Sequence, residues 1–203
     1  MAPTGVVLGD PRRQLFGAAE RVMRRDGVSG LTTRSVTLEA GVAKGVLHRH
    51  FGDFDSFLVD LVQDRMAMIT ARAAELMTRV GESSVTNNVR GAMIDVLDLD
   101  TAAMITLVSA RDSLKQRLQG PISSRVPVID QIVHLLRAYL GAEQKLGRIR
   151  SGTDIATAAR TLVGAAHLVL LGDPASPPSR GITRAVNAII GPILAETTGP
   201  KGH

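Results

Sequence analysis

The stretch Thr32 to Phe51, TTRSVTLEAGVAKGVLHRHF, constrains this chain more than any other, because a glycine divides two short apolar stripes within it. Val36 and Ala40 form one stripe and Val46 and Leu47 the other, and Gly41 stands between them where a sharp reversal needs a residue free to adopt positive φ. The spacing predicts two short helices joined by a tight turn. Lys44, His48 and Arg49 then fall on the outer positions of the second helix. A helix of that kind can lie in a DNA major groove with its first residues against base edges while its other face packs on the protein.

The flanking residues extend this pattern. They read LFGAAERVMRRDG (Leu15 to Gly27) before it, LTTRSVTLEAGVAKGVLHRHF (Leu31 to Phe51) across it, and FDSFLVDLV (Phe54 to Val62) after it. On these three segments the chain from Arg12 to Val62 resembles the N-terminal domain of the TetR family of transcriptional regulators, over about a quarter of its length. The resemblance implies an all-α fold: an N-terminal three-helix helix-turn-helix DNA-binding domain, then a C-terminal helical ligand-binding and dimerisation domain. It also implies that Thr33, Arg34, Lys44 and Gly45 face DNA. Arg34 and Lys44 are assigned to base edges or adjacent phosphates, Thr33 and His48 to phosphate, and Gly45 to close backbone approach. Arg49 joins this surface, and Val46 is placed against a thymine methyl.

Two departures from the family pattern stand where phosphate is usually met. His48 replaces the common Tyr, and Phe54, between Asp53 and Asp55, replaces a common Lys. Imidazole can still donate to phosphate. Asp53 and Asp55 favour the start of a helix and Asp53 can cap it, yet both repel a phosphate that approaches there. The expectation is a weaker contact at that terminus, with affinity supplied from elsewhere.

Charge placement agrees with this reading. Between Pro11 and Gly52 there are eight Lys or Arg against three acids, an excess equal to the +5 of the whole chain. A basic head of that kind suits a phosphate backbone. Cysteine is absent, which removes disulfides, thiolate metal sites and cysteine nucleophiles. The longest uncharged apolar runs, Thr161 to Gly172 and Ala185 to Ala195, are too short to span a bilayer, and no secretory leader is recognisable, so a cytoplasmic location without membrane contact is expected.

The domain reading assigns 1–10 to a flexible arm, 11–54 to the DNA-binding domain, 55–196 to the helical ligand-binding and dimerisation domain, and 197–203 to a loose tail. Within the head, Asp10 caps a helix begun by Pro11 and ended by Gly27. Beyond it a long helix runs toward Val80 with Gly81 as its stop. Ser84 opens the next. Asp100 is read as the cap of one carrying Ile105, Val108 and Leu114, stopped by Gly120 and Pro121. Another helix holds Ile129 to Leu140 and ends near Gly147, Asp154 opens a further one, and DPASPPS (Asp173 to Ser179) is a loop. The last helix is frayed or kinked by Pro192.

The last two helices read as apolar over wide arcs and rich in small residues, which calls for burial on more than one face and predicts a homodimer through them. A small-molecule pocket in the C-terminal domain would be walled by aliphatic side chains and Met, since all four Phe precede residue 58 and Tyr139 is the only Tyr. Met104, Arg111, His134, Tyr139 and His167 are its candidate residues. His48 and His50 point about 200° apart on a helix and cannot share an ion. No metal, cofactor or catalytic constellation is expected. The resulting expectation is a ligand-responsive regulator, a repressor, that binds a palindromic double-stranded DNA operator as a homodimer and is released by a small apolar effector. Two other readings stay open: a helical small-molecule-binding enzyme with a retained DNA-binding head, and a constitutive DNA-binding protein without ligand.

Overall fold

In the computed structural model, which describes residues 10–118, 126–172 and 177–195, ten α-helices lie in two packed groups. The expected N-terminal arm, the stop at Gly120 and Pro121, residues 173–176 of the predicted loop and the tail lie outside the described residues. Among the described residues there is no strand, only an isolated bridge between Ile149 and Leu194. No described helix is long and apolar enough to cross a membrane.

The head is built from local rules. Helix α1 (Pro11–Asp26) starts where the Asp10 carboxylate accepts the amides of Arg12 and Arg13, and it stops at Gly27, whose φ of 72° favours glycine. Helix α2 (Thr33–Glu39) begins in a reciprocal cap: Ser35 N–H donates to Thr32 Oγ1, and Thr32 N–H donates to Ser35 Oγ. Gly41 turns the chain at φ 67° into α3 (Lys44–Phe51). Leu15, Ala19, Val22, Val36 and Leu47 are fully buried between these helices. Phe16, Phe51 and Phe57 close the core beneath them, with Phe51 edge-on to Phe57 at 5.0 Å.

Helix α4 (Phe54–Met77) carries the chain from the head into the second group. There α5 (Val85–Val96) and α8 (Pro127–Lys145) pack on α4, α9 (Ile155–Leu170) packs on α8, α10 (Pro178–Ile190) packs on α5 and α9, and α10 runs into a 3-10 turn at Gly191–Ile193. Helices α9 and α10 approach so closely that a Cβ on Gly181 would stand 2.5 Å from a methyl of Val169. Only α9 keeps apolar groups on its outer face, Leu168 and Leu171 being largely exposed. Helix α10 differs from the expected wide arc: it buries Ile182, Val186 and Ile190 but turns Arg180, Arg184 and Asn187 to solvent.

Between these groups lies a second difference from expectation. The predicted helix capped by Asp100 is two helices, α6 (Leu99–Ala110) and α7 (Asp112–Leu118), and Asp98 is the cap, accepting the Thr101 amide at 2.7 Å. Asp100 instead faces the guanidinium groups of Arg24 and Arg65. The break falls at Arg111, whose backbone is extended and whose side chain reaches the Leu31 carbonyl and the Phe54 ring in the head. A long-range contact thus overrides a locally acceptable helix.

Candidate nucleic-acid interface

Helices α2 and α3 are held by their buried faces and by one polar tie, in which Gln14 Nε2 donates to the Ala40 carbonyl at 2.7 Å and pins the turn. Arg34, Lys44, Gly45, His48 and Arg49 are left exposed, and Thr33 is half-buried in the first turn of α2. No side chain caps α3. A Cβ at Gly45 would meet nothing within 4 Å, so packing inside this chain does not require glycine there.

The basic excess of the head resolves into paired and unpaired cations. Arg12 pairs with Asp60 at 2.8 Å and lies 4.7 Å from the centre of the Phe51 ring. Arg21 and Arg25 both grip Glu39 at 2.7 Å, and these hydrogen bonds hold its carboxyl below the usual carboxylate range. Arg24 pairs with Asp100, and Arg13 stands 3.7 Å from Asp10. Among the described residues, Arg34, Lys44 and Arg49 are the head cations with no carboxylate partner, and all three lie on α2 or α3.

His48 is already engaged. Its Nδ1 lies 3.0 Å from the Gly52 carbonyl, which can only accept, so Nδ1 carries the proton and the ring caps the end of α3. In the neutral ring Nε2 is then an acceptor, and donation to a phosphate from that nitrogen requires the doubly protonated form. His50 is exposed, its ring 6.4 Å from that of Phe51. Among the described residues no group of three His, Asp or Glu is placed to hold a metal ion.

Sequence reasoning missed two arginines that join the head to the rest of the chain. Arg65 of α4 is 8% exposed and faces Asp98 at 3.2 Å, Asp100 at 3.3 Å and, from α1, Glu20 at 3.9 Å. Burial, and after it the Asp100 charge, raise the carboxyl pKa of Glu20. Arg117, at the end of α7, donates to Ser56 Oγ at 2.9 Å beside Asp53, the cap of α4. Neither carries a local signal, since every one of these partners lies at least 33 positions away.

The five residues proposed for a ligand are not brought together. Met104 is buried, Arg111 reaches the head, His134 is exposed, and His167 is half-buried with an unpartnered Nδ1 and a pKa lowered by burial. Tyr139 belongs to a buried polar network: its hydroxyl donates to Glu143 at 2.6 Å and accepts from Asn88 at 3.0 Å. A narrow apolar cleft with about 30 Å³ of free space lies instead between α4, α5 and α8, where Ile69, Leu76, Met93, Val96, Ile132 and Leu136 line it. Of the methionines that could furnish an adaptable wall, Met93 is the one it uses.

Known proteins resemble this arrangement at both levels. The family described as bacterial regulatory proteins, tetR family, matches residues 15–59. The chain is similar to the HTH-type nicotine-responsive transcriptional repressor HdnoR of Paenarthrobacter nicotinovorans, 26% identical over 180 residues that span 83% of this chain and 87% of that protein. Its fold is similar to that of reduced NemR from E. coli (TM-score 0.73, 17% identity, 94% of this chain and all of the other). It is also similar to SmeT, the repressor of the Stenotrophomonas maltophilia multidrug efflux pump SmeDEF (TM-score 0.68, 18% identity, 96% of each chain). SmeT has been solved in complex with triclosan as well, and that structure matches with a TM-score of 0.66 at 19% identity over 95% of this chain and 96% of that one.

Proposed function

We propose that this chain, which belongs to the tetR family of bacterial regulatory proteins, is a cytoplasmic repressor that binds a palindromic operator as a homodimer and lets go when a small apolar effector enters its C-terminal domain. Residues 11–54 form the DNA-binding head in this reading and 55–196 the effector and dimerisation domain. The observation that carries it is the placement of Arg34, Lys44 and Arg49. These cations are exposed and have no acid partner among the described residues, on the helix pair whose opposite face is packed. Uncompensated charge held on a rigid motif is what phosphate and base edges select.

Two further features support the rest. The outer face of α9, with Thr161, Gly164, Leu168 and Leu171, adjoins an open trough lined by Arg150, Asp154, Thr157, Ile189 and Ile193, and a second copy of the chain would cover both. The cleft between α4, α5 and α8 is walled almost wholly by aliphatic groups, which suits an apolar effector, and the cleft has to widen for that effector to enter. A relative that answers nicotine and a neighbour solved with triclosan have ligands of modest size and largely apolar surface. The effector acts by binding one spacing of the two heads more tightly than the other.

The test separates base reading from positioning. Lys44→Ala should cost roughly 1–3 kcal/mol on the operator and relax preference at one position of each half-site. His48→Ala removes the ring that caps the end of α3 and any phosphate contact made by its doubly protonated form, and should weaken binding to all sequences about equally, because neither carries sequence information. The measurement is competition between operator variants at one salt concentration, with the operator first selected from genomic fragments. The placement of α3 in the groove is refuted if His48→Ala changes base preference and Lys44→Ala does not.

A further inference from the structure

The start of α4 follows α3 after only Gly52 and Asp53, so a duplex seated on α3 brings phosphates past it. That point is hostile to an anion by its own composition. Asp53 accepts the Ser56 amide at 2.6 Å, a bond that lowers the pKa of its carboxyl, and Asp55 adds a second carboxylate in the first turn. Phe54 between them is half-buried and stacked on Phe57 at 5.7 Å, with no charge to offer. Each carboxylate is faced by an arginine from beyond α4: Arg111 stands 3.9 Å from Asp55, and Arg117 stands 3.8 Å from Asp53.

These arginines are not equivalent. Arg111 is occupied, with one nitrogen on the Leu31 carbonyl at 3.4 Å and its plane near the Phe54 ring. Arg117 gives one N–H to Ser56 Oγ at 2.9 Å, its contact with Asp53 is longer than a hydrogen bond, and its side chain is 44% exposed. A guanidinium has five N–H donors in a planar fork that matches a phosphate edge. Among the described residues, most of those of Arg117 have no acceptor.

On the DNA-binding reading above, we infer that Arg117 contacts an operator phosphate beside the first turn of α4, so that the effector domain itself supplies part of the DNA surface. The arginine offsets Asp53 and Asp55 and presents its free donors to the backbone. Because α7 belongs to the effector domain, a shift of α7 then changes a DNA contact directly, with no intermediate element.

The experiment uses the full-length protein and a fluorescent mixed-sequence duplex of about 30 base pairs, with anisotropy followed from about 50 to 300 mM KCl. The wild type should show a steep log–log slope. Arg117→Ala should flatten that slope by about 0.9 for each protomer bound and weaken binding roughly 5- to 10-fold at low salt. Arg117→Lys should keep most of the slope, and Lys145→Ala, an exposed cation at the end of α8, should leave it unchanged. Ser56→Ala removes the tether but not the charge and should also leave the slope unchanged. An unaltered slope in Arg117→Ala, or the same loss in Ser56→Ala as in Arg117→Ala, would overturn the phosphate role while the regulator reading stands. A wild type without affinity for duplex DNA would overturn both.

Discussion

Ending the chain at Gly172 is expected to abolish dimer formation and operator binding together. The truncation removes α10 and with it the buried side chains of Ile182, Val186 and Ile190. At about 1.5–3 kcal/mol for each fully buried aliphatic chain, their loss is on the order of 5–9 kcal/mol, comparable with the total stability of an ordinary domain. The face of α9 that receives Gly181 against Val169 would be bared at the same time. Sedimentation should find aggregated or monomeric protein, and a soluble dimer that still binds operator would refute the interface. A milder variant isolates association from folding. Leu168 is 69% exposed in the single chain, so Leu168→Glu should leave thermal stability nearly intact and still produce monomers that bind half-sites weakly.

The second large effect is expected at Glu143. It is a carboxylate with no solvent exposure, held by the Tyr139 hydroxyl at 2.6 Å, Arg148 at 3.1 Å and the Gly81 amide at 3.3 Å. It thereby ties α8 to the α4–α5 connection and to the turn before α9. Burial, and then donation to Glu143, raise the Tyr139 phenol well above its ordinary pKa, so the hydroxyl remains a donor at every working pH. Glu143→Ala takes the acceptor from a buried hydroxyl and from an amide at once, and leaves Arg148 with only the Glu82 and Ser83 carbonyls. Leaving a buried polar group without its partner costs about 1–3 kcal/mol, so the two together cost about 2–6 kcal/mol, a fall in Tm of roughly 4–24 °C for a chain of this size. Tyr139→Phe removes two bonds, one to Glu143 and one from Asn88, but leaves the carboxylate in place, and should cost about 1–3 kcal/mol. Calorimetry of the two variants decides, and equal losses would show that the charge is not what holds the site.

What the sequence disclosed was whatever depends on neighbours within one turn. Asp10, Ser84 and Asp154 cap the helices that their positions indicate, and Gly27, Gly41, Gly81 and Gly147 adopt positive φ at the predicted stops and turn, because caps and turns are settled over three or four residues. The exposed residues of α2 and α3 were legible for the same reason. Asp98 and Asp100 were not separable, since each can cap a helix and the choice rests on Arg24 and Arg65 far along the chain. The break at Arg111 depends on Leu31, eighty positions away. Tyr139 and His167 illustrate a different limit. A polar side chain on an apolar helix gives one signal for a pocket wall and for a buried network, and only the fold distinguishes them.

The seam at Arg65 has a consequence for how the head moves. It offers three carboxylates, Glu20, Asp98 and Asp100, to two guanidinium groups, those of Arg24 and Arg65, and Asp100 is shared by both. The pairing is degenerate: more than one assignment of partners leaves each guanidinium facing an acid. An aliphatic seam has a single close-packed fit and must open a void to tilt. A degenerate one lets Arg65 exchange one carboxylate for the next, so a small tilt of the head leaves its guanidinium still facing an acid.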